Sequence, residues 1–77
     1  MELAERIEMK PEVMLGKPVI RGTRITVELI LRRISEGATE DDLIASYPHL
    51  ARDDIRAAVA FAADAIANPG TAATWSP

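Results

Sequence analysis

The sequence of 77 residues contains no cysteine and one histidine, and its formal net charge is −3. This length fits one small domain, the lack of cysteine excludes disulfides, and the acidic balance argues against a generally basic nucleic-acid-binding coat. Because seven of the nine basic residues lie within residues 1–33, the sequence still allows a local basic face.

Association between copies is the means of stabilisation that remains for so small a chain, since it has neither disulfides nor a set of metal ligands. Residues 1–10 are acidic where a signal peptide needs positive charge. The most apolar run, residues 57–67, is interrupted by Asp64 and is too short to cross a bilayer. We therefore expect a cytoplasmic protein that does not enter a membrane.

Two short strands are predicted near the N-terminus. Residues 6–10 alternate polar and apolar, and residues 18–21 are a second extended candidate that begins at Pro18. Two short strands alone are marginal in water, so we expect a helix or another copy to cover their edges, with the strands pairing across a two-fold axis in a dimer.

The first predicted helix spans residues 27–36. Thr26 is suited to the N-cap, and Gly37 is placed to end the helix in a left-handed cap. Its apolar face consists of four residues at helical spacing: Val27, Ile30, Leu31 and Ile34.

Two further helices are predicted. Thr39 opens the second with a variant capping box in which Asp42 replaces the usual Glu or Gln, and Pro48 closes it. The third runs from about residue 52 to about residue 67, and Ala51 offers no side-chain cap. We expect its buried stripe to be Ile55, Val59, Ala62 and Ile66. Residues 1–67 would form one domain, followed by a flexible tail, residues 68–77.

The segment GKPVIRGTRITV, residues 16–27, superficially suggests a phosphate-binding loop. Lys17 precedes Pro18, however, and proline removes an amide donor that such a loop needs. A structural turn accounts for more of the segment, with its specifying residues being Gly16, Pro18, Gly22 and Thr23. Two interpretations of Arg21 and Arg24 stay open: ion pairs with Glu8 or Glu28, or contacts to phosphate or an acidic partner.

No catalytic or metal-binding arrangement is visible in the sequence. The acidic clusters, residues 40–42 and 53–54, fall at helix starts, where the helix dipole favours them. His49 has no nucleophile beside it. We therefore expect a non-enzymatic protein without metal, cofactor or small-molecule substrate, and give a metal-dependent hydrolase little weight.

The second and third helices have a helix-turn-helix outline, which also describes any packed helical hairpin. Arg52 and Arg56 lie one turn apart on the third helix, but Asp53 and Asp54 beside them would repel phosphate. DNA contact would need two copies and the arginines of the first helix, Arg32 and Arg33.

Taken together, GKPVIRGTRITV, the helix start EGATEDDL and the link YPHL closely resemble the prokaryotic "domain of unknown function 433" family over about residues 6–66. The resemblance implies a winged or strand-preceded helix-turn-helix domain, usually dimeric. It also implies an antitoxin of a type II toxin–antitoxin module, next to a toxin with a PIN-like nuclease fold. Thr26 stands where the family often has proline, and Ala51 where it often has Ser or Thr, which removes a cap worth about 1 kcal/mol.

The leading hypothesis is a dimeric, mainly α antitoxin-like protein with a short N-terminal β-ribbon, which blocks a PIN-like nuclease and binds operator DNA. The alternative is a dimeric protein-interaction module without DNA binding. The lone Trp75 is a candidate partner-binding anchor, although it could equally fold back on its own domain. The candidate DNA-binding residues are Arg21, Arg24, Arg32, Arg33, Arg52 and Arg56.

Overall fold

Three helices and a two-stranded antiparallel sheet make up residues 3–67, the part of the chain that this computed structural model describes. The predicted tail, with Trp75, lies outside the described residues. The mainly α fold with a short N-terminal β-ribbon is therefore confirmed. In chain order the elements are a 3₁₀ turn at Leu3–Arg6, β1 at Ile7–Glu8, a 3₁₀ turn at Met14–Gly16, β2 at Val19–Ile20, α1 at Val27–Ser35, α2 at Glu40–Ser46 and α3 at Arg52–Ala67.

The two strands pair with each other within one chain. Ile7 lies opposite Ile20 and Glu8 opposite Val19. On its other side β2 is bridged to Thr26 through Val19, so both of its edges are occupied. Pairing of strands across a two-fold axis stays a prediction, and it would have to use the outer edge of β1.

Short-range hydrogen bonds fix both ends of α1. The Leu29 N–H donates to the Thr26 hydroxyl at 3.0 Å, so the predicted N-cap is confirmed. At the other end, Gly37 has a φ of 100°, and its N–H donates to the Ile34 carbonyl while the Ala38 N–H donates to the Arg33 carbonyl. These two bonds make a Schellman motif, the left-handed cap that the glycine predicted.

The capping box of α2 is also confirmed. The Thr39 hydroxyl accepts from the Asp42 N–H at 3.1 Å, and the Asp42 carboxylate accepts from the Thr39 N–H at 2.8 Å. Aspartate is shorter than the usual glutamate but still reaches back to the N-cap amide.

The start of α3 is better stabilised than expected. Ala51 has no side-chain oxygen to cap the helix, but the Asp54 carboxylate accepts a capping hydrogen bond. One Asp54 oxygen accepts from the Ala51 N–H at 2.9 Å, which is half of a capping box. The other oxygen forms an ion pair with Arg6 at 2.9 Å, across 48 positions of sequence. Asp54 is only 7% exposed, so this carboxylate ties the N-terminal segment to α3 from inside the protein.

The core lies between the sheet and the three helices and is almost entirely aliphatic. Its buried cluster consists of Ile20, Val27, Ile30, Leu43, Leu50, Ile55 and Ala58. No helix within residues 3–67 has the length and apolar character needed to cross a bilayer.

The predicted buried stripe of α3 is wrong beyond its first residue. Ile55 is buried, but Val59 is 45% exposed and Ile66 is 82% exposed, while Ala62 is half-buried. The physical reason is that α3 has neighbours on two sides, the N-terminal turn and β1 on one side and α1 with α2 on the other. The buried face of α3 therefore lies between these two groups of neighbours, and it includes Asp54, Ala57 and Ala58.

We expect Asp54→Ala to lower the free energy of unfolding by about 2 kcal/mol, since it leaves the Ala51 amide and the Arg6 guanidinium without their shared acceptor. Urea denaturation at a fixed protein concentration measures this. The matched control is Asp53→Ala, at an exposed position, which should change the free energy by no more than about 0.5 kcal/mol. Equal effects of the two substitutions would contradict a structural role specific to Asp54.

Candidate protein-binding surfaces

A hydrogen-bonded turn at residues 20–23 shapes the segment that the sequence singled out. The Thr23 N–H donates to the Ile20 carbonyl at 3.0 Å, and the Thr23 hydroxyl donates to the same carbonyl at 2.7 Å while accepting from the Ile25 N–H. Gly22 has a φ of 78°, and a Cβ there would meet no atom within 4 Å, so the backbone conformation and not the space favours glycine. Gly22 and Thr23 are the residues that shape this turn.

The same segment carries the chain directly into α1. The Pro18 carbonyl accepts from the Val27 N–H at 2.9 Å, and the Ile20 N–H donates to the Ile25 carbonyl at 2.9 Å. Residues 18–27 thus fold back on themselves. Pro18, which has no N–H to donate, takes part through its carbonyl.

Glu8 holds this turn against β1. The Gly22 N–H donates to the Glu8 carboxylate at 3.0 Å, and the Arg21 guanidinium lies 3.8 Å from it. The Gly22 N–H bond, assisted by the Lys10 and Arg21 charges, holds the pKa of the Glu8 carboxyl below its ordinary value. Of the two interpretations of Arg21, the ion pair with Glu8 is therefore present in the structure.

A second turn places a leucine in solvent. Three successive residues have positive φ: Met14 at 49°, Leu15 at 58° and Gly16 at 81°. Glycine suits this conformation, but each L-residue in it costs roughly 1–2 kcal/mol. Leu15 is nevertheless 93% exposed. The sequence marked Gly16 as a turn residue, but it gave no signal for the positive φ of Met14 and Leu15, because these residue types disfavour a left-handed backbone.

Five of the six predicted DNA-binding arginines form ion pairs with carboxylates of their own chain. Arg24 is exposed and has no ion pair with any described residue. The arginines therefore do not form a bare basic face within residues 3–67. The five pairs are Arg21 with Glu8, Arg32 with Glu28, Arg33 with Glu36, Arg52 with Glu40 and Asp41, and Arg56 with Asp53.

Arg52 shows most clearly what these pairs do. Its guanidinium donates to Asp41 and to Glu40, both in the first turn of α2, so it joins the starts of α2 and α3. The Asp41 and then the Glu40 carboxylates raise the pKa of Arg52. An arginine held by two carboxylates is a poor phosphate ligand until they are displaced, and its role in DNA binding stays a prediction.

An open apolar groove of about 690 Å³ lies between α1 and the later turns of α3. We call it the α1–α3 groove, and the apolar residues that line it are Pro18, Val27, Leu31, Phe61 and Ala62. Lys17 and Arg32 stand at its rim and share one carboxylate, Glu28, at 3.5 and 3.1 Å. Arg32, and then Lys17, lower the pKa of Glu28.

A second apolar surface runs along the side of α3 that was expected to be buried. Ile34 of α1 and Val59 and Ala63 of α3 line a depression of about 490 Å³, and Ile66 follows Val59 by two helical turns on the same face. We call these four residues the stripe surface. Ile34 is 37% exposed, so all three large side chains of the stripe surface contact solvent.

Within residues 3–67 no group of three His, Asp or Glu side chains is arranged to hold a metal ion. The described residues offer surfaces for contact, and their two most exposed large apolar side chains are Leu15 and Ile66 of the stripe surface.

Comparison with known proteins gives a family and a related structure. The family model described as "Protein of unknown function (DUF433)" matches residues 7–62. The fold is similar to the crystal structure of a DUF433 member protein from Anabaena variabilis ATCC 29413, with a TM-score of 0.72 and 34% sequence identity. That match covers 84% of this chain and 61% of the Anabaena chain, so this chain spans about three fifths of that protein's length. No functionally curated protein matches the chain.

We expect stability to fall as the pH drops below the ordinary range of carboxyl pKa values. Glu8, Glu28 and Asp42 have lowered pKa values in the folded protein, with the Thr39 N–H as the main cause for Asp42. The unfolded chain therefore takes up protons first, and the stability that these carboxylates supply is present above the unfolded pKa and lost as the pH falls through the folded one.

Urea denaturation at a series of pH values from 7 to about 3 tests this, with Glu8→Gln as the variant. The substitution keeps an acceptor for the Gly22 amide but cannot titrate, so the loss of stability in acid should be smaller than in the wild type. The control is Glu12→Gln, since Glu12 is exposed and has no ion pair with a described residue. A Glu8→Gln profile that runs parallel to the wild-type profile would count against the Glu8 contribution.

Proposed function

The chain belongs to the DUF433 family, and on that premise we propose that it is a cytoplasmic, non-enzymatic, antitoxin-like protein that works as a dimer and binds and blocks a PIN-like nuclease. The family itself is described as of unknown function. The toxin–antitoxin role rests on the resemblance carried by residues 16–27 and 47–50. The physical support is the kind of surface that the fold exposes.

The observation that carries the proposal is the exposed stripe surface. Val59 and Ile66 lie seven residues apart on a regular 16-residue helix, and Ile34 of α1 lies beside Val59. Exposed apolar residues grouped on one helix face are typical of a surface that another protein covers. A partner that presents an apolar helix or groove would match it.

The α3 sequence suits such an interface in a second respect. Ala63 within the stripe surface and Ala60 beside it are small, so a partner could approach the helix backbone closely. Helical spacing places Asp64 on a different side of the helix from Val59 and Ile66. Arg56 and Glu40 line the depression beside Val59, so a partner would meet an apolar contact at Val59 and Ile66 with charged groups at its edge.

Operator DNA binding is the second component of the hypothesis, and the exposure of Arg24 without an ion pair favours it. The ion pairs of the other five arginines favour the alternative, a dimeric protein-interaction module that does not bind DNA. Exposed pairs are individually weak, so phosphates could compete for these arginines only where several act together.

We expect the double substitution Val59→Glu with Ile66→Glu to weaken binding to the proposed PIN-like nuclease partner by at least about tenfold, and to abolish its inhibition. Glutamate is a good helix former and both positions are exposed, so the fold should remain. Calorimetric titration and a nuclease assay measure the two effects. The control, Met9→Glu, changes another exposed apolar residue that lies off the stripe surface, near Ala57 and Phe61 of α3. Wild-type affinity in the double variant would refute the role of the stripe surface.

For the DNA component we expect the protein to retard its own upstream DNA in a gel at low salt, and less so in the Arg24→Ala variant, because Arg24 is the readily available cation. Lys10→Ala is the control, since Lys10 lies beside Glu8. No retardation at low salt, with or without the nuclease present, would remove the operator role and leave the protein-interaction module.

A further inference from the structure

We propose that two copies of the chain dock through their turns at residues 14–16. Leu15 of each copy, which we call the knob, is inserted into the α1–α3 groove of the other copy. This assignment rests on the dimeric state proposed above, and it names the surface that forms the dimer.

The first observation is that Leu15 is held out of the fold in a fixed position. The Gly16 N–H donates to the Val13 carbonyl at 3.1 Å and the Lys17 N–H to the Met14 carbonyl at 3.2 Å, so the turn is closed on both sides of the leucine. Met14 and Leu15 both have positive φ, a conformation that favours other residue types. Strained backbone of this kind, with an apolar side chain almost fully in water, points to a functional contact.

The second observation is that the α1–α3 groove has the chemistry to receive a leucine. Val27, Leu31 and Phe61 give it apolar walls, and it is open to solvent. Burial of an aliphatic side chain there removes apolar surface from water on both partners, which is the main favourable term in protein association.

The position of the knob relative to the groove favours a second copy as the occupant. Lys17, at the groove rim, follows Leu15 by two residues, so knob and groove lie next to each other on one side of the molecule. A two-fold axis through such a surface places each knob opposite the other copy's groove, as a self-complementary dimer interface requires.

The charges around the two features are also complementary. Lys17 and Arg32 at the rim share only one carboxylate, Glu28, so the rim carries a net positive charge. Glu12, three residues before Leu15, is exposed and has no ion pair with any described residue. In the docked pair Glu12 would approach the positive rim of the other copy, which favours this orientation over alternatives.

The stripe surface does not take part in this contact. A dimer formed through Leu15 therefore leaves Val59 and Ile66 of both copies available to a nuclease. The dimer contact and the nuclease contact can be disrupted separately.

The experiment compares self-association of the full chain by sedimentation equilibrium. Leu15→Gly removes the knob and suits the positive φ, so the fold is kept. Ala62→Glu fills the groove with a charged side chain on a helix that tolerates it. Each should raise the dimer Kd at least tenfold. Ile66→Ala on the stripe surface is the matched control and should leave the dimer Kd within about twofold of the wild type.

Mixing the two variants gives the decisive result. The Leu15→Gly chain keeps its groove and the Ala62→Glu chain keeps its knob, so a mixed pair recovers one of the two contacts. Random pairing of chains with equal affinities already gives twice as much mixed dimer as either variant dimer, so native mass spectrometry of an equimolar mixture should show the mixed dimer well above that ratio. General destabilisation by the substitutions would leave the random ratio. Leu15→Glu, at the same exposed site, serves as a second knob variant.

Three outcomes would overturn the assignment: a wild-type protein that stays monomeric, a Leu15→Gly protein with the wild-type dimer Kd, or mixed dimer at no more than the random ratio. A monomeric wild type would also refute the dimeric state in the proposed function, whereas the other two outcomes would overturn only the assignment of the surface. Failure of the nuclease to bind the wild-type protein would refute the proposed function and leave the dimer result unaffected.

Discussion

The bond between the Val27 N–H and the Pro18 carbonyl fixes the direction in which the helical part of the chain leaves the sheet. It forms because the chain reverses at residues 20–23, where Gly22 accepts a positive φ and the Thr23 hydroxyl occupies the Ile20 carbonyl. With α1 starting directly against β2, Ile20 and Val27 enter the same apolar cluster. This chain reversal therefore sets how α1 packs against α3. It thereby places the α1–α3 groove and the stripe surface.

The packing of α3 determines both the core and the exposed apolar surfaces. Its first half is enclosed on two sides, by the N-terminal segment and by α1 with α2, and buries Ile55 and Ala58. Its later turns are less enclosed among the described residues, and Ile66 is 82% exposed. In so small a domain a 16-residue helix keeps part of its apolar face in contact with solvent.

The local parts of the fold could be predicted from sequence, and the non-local parts could not. The caps at Thr26, Thr39 and Gly37 depend on bonds within a few residues, so residue type and spacing reveal them. The α3 stripe was misplaced because periodicity gives the width of an apolar face and not the neighbours that cover it. The carboxylate partners of Arg32, Arg33 and Arg56 lie three or four residues away along the same helix, so spacing alone could have indicated them. Those of Arg52 depend on how α2 and α3 meet. The left-handed turn at Leu15 had no sequence signal, since its residue types disfavour it.

The contact between Arg6 and Asp54 joins positions 48 residues apart, and the same carboxylate also caps the first turn of α3 through the Ala51 N–H. Helix initiation is the costly step in helix formation, and here part of its stabilisation arrives only after a long stretch of chain has been closed into a loop. The N-terminal ribbon and the C-terminal helix therefore depend on each other for their order. Loss of either should destabilise the whole domain, which should unfold in a single cooperative transition.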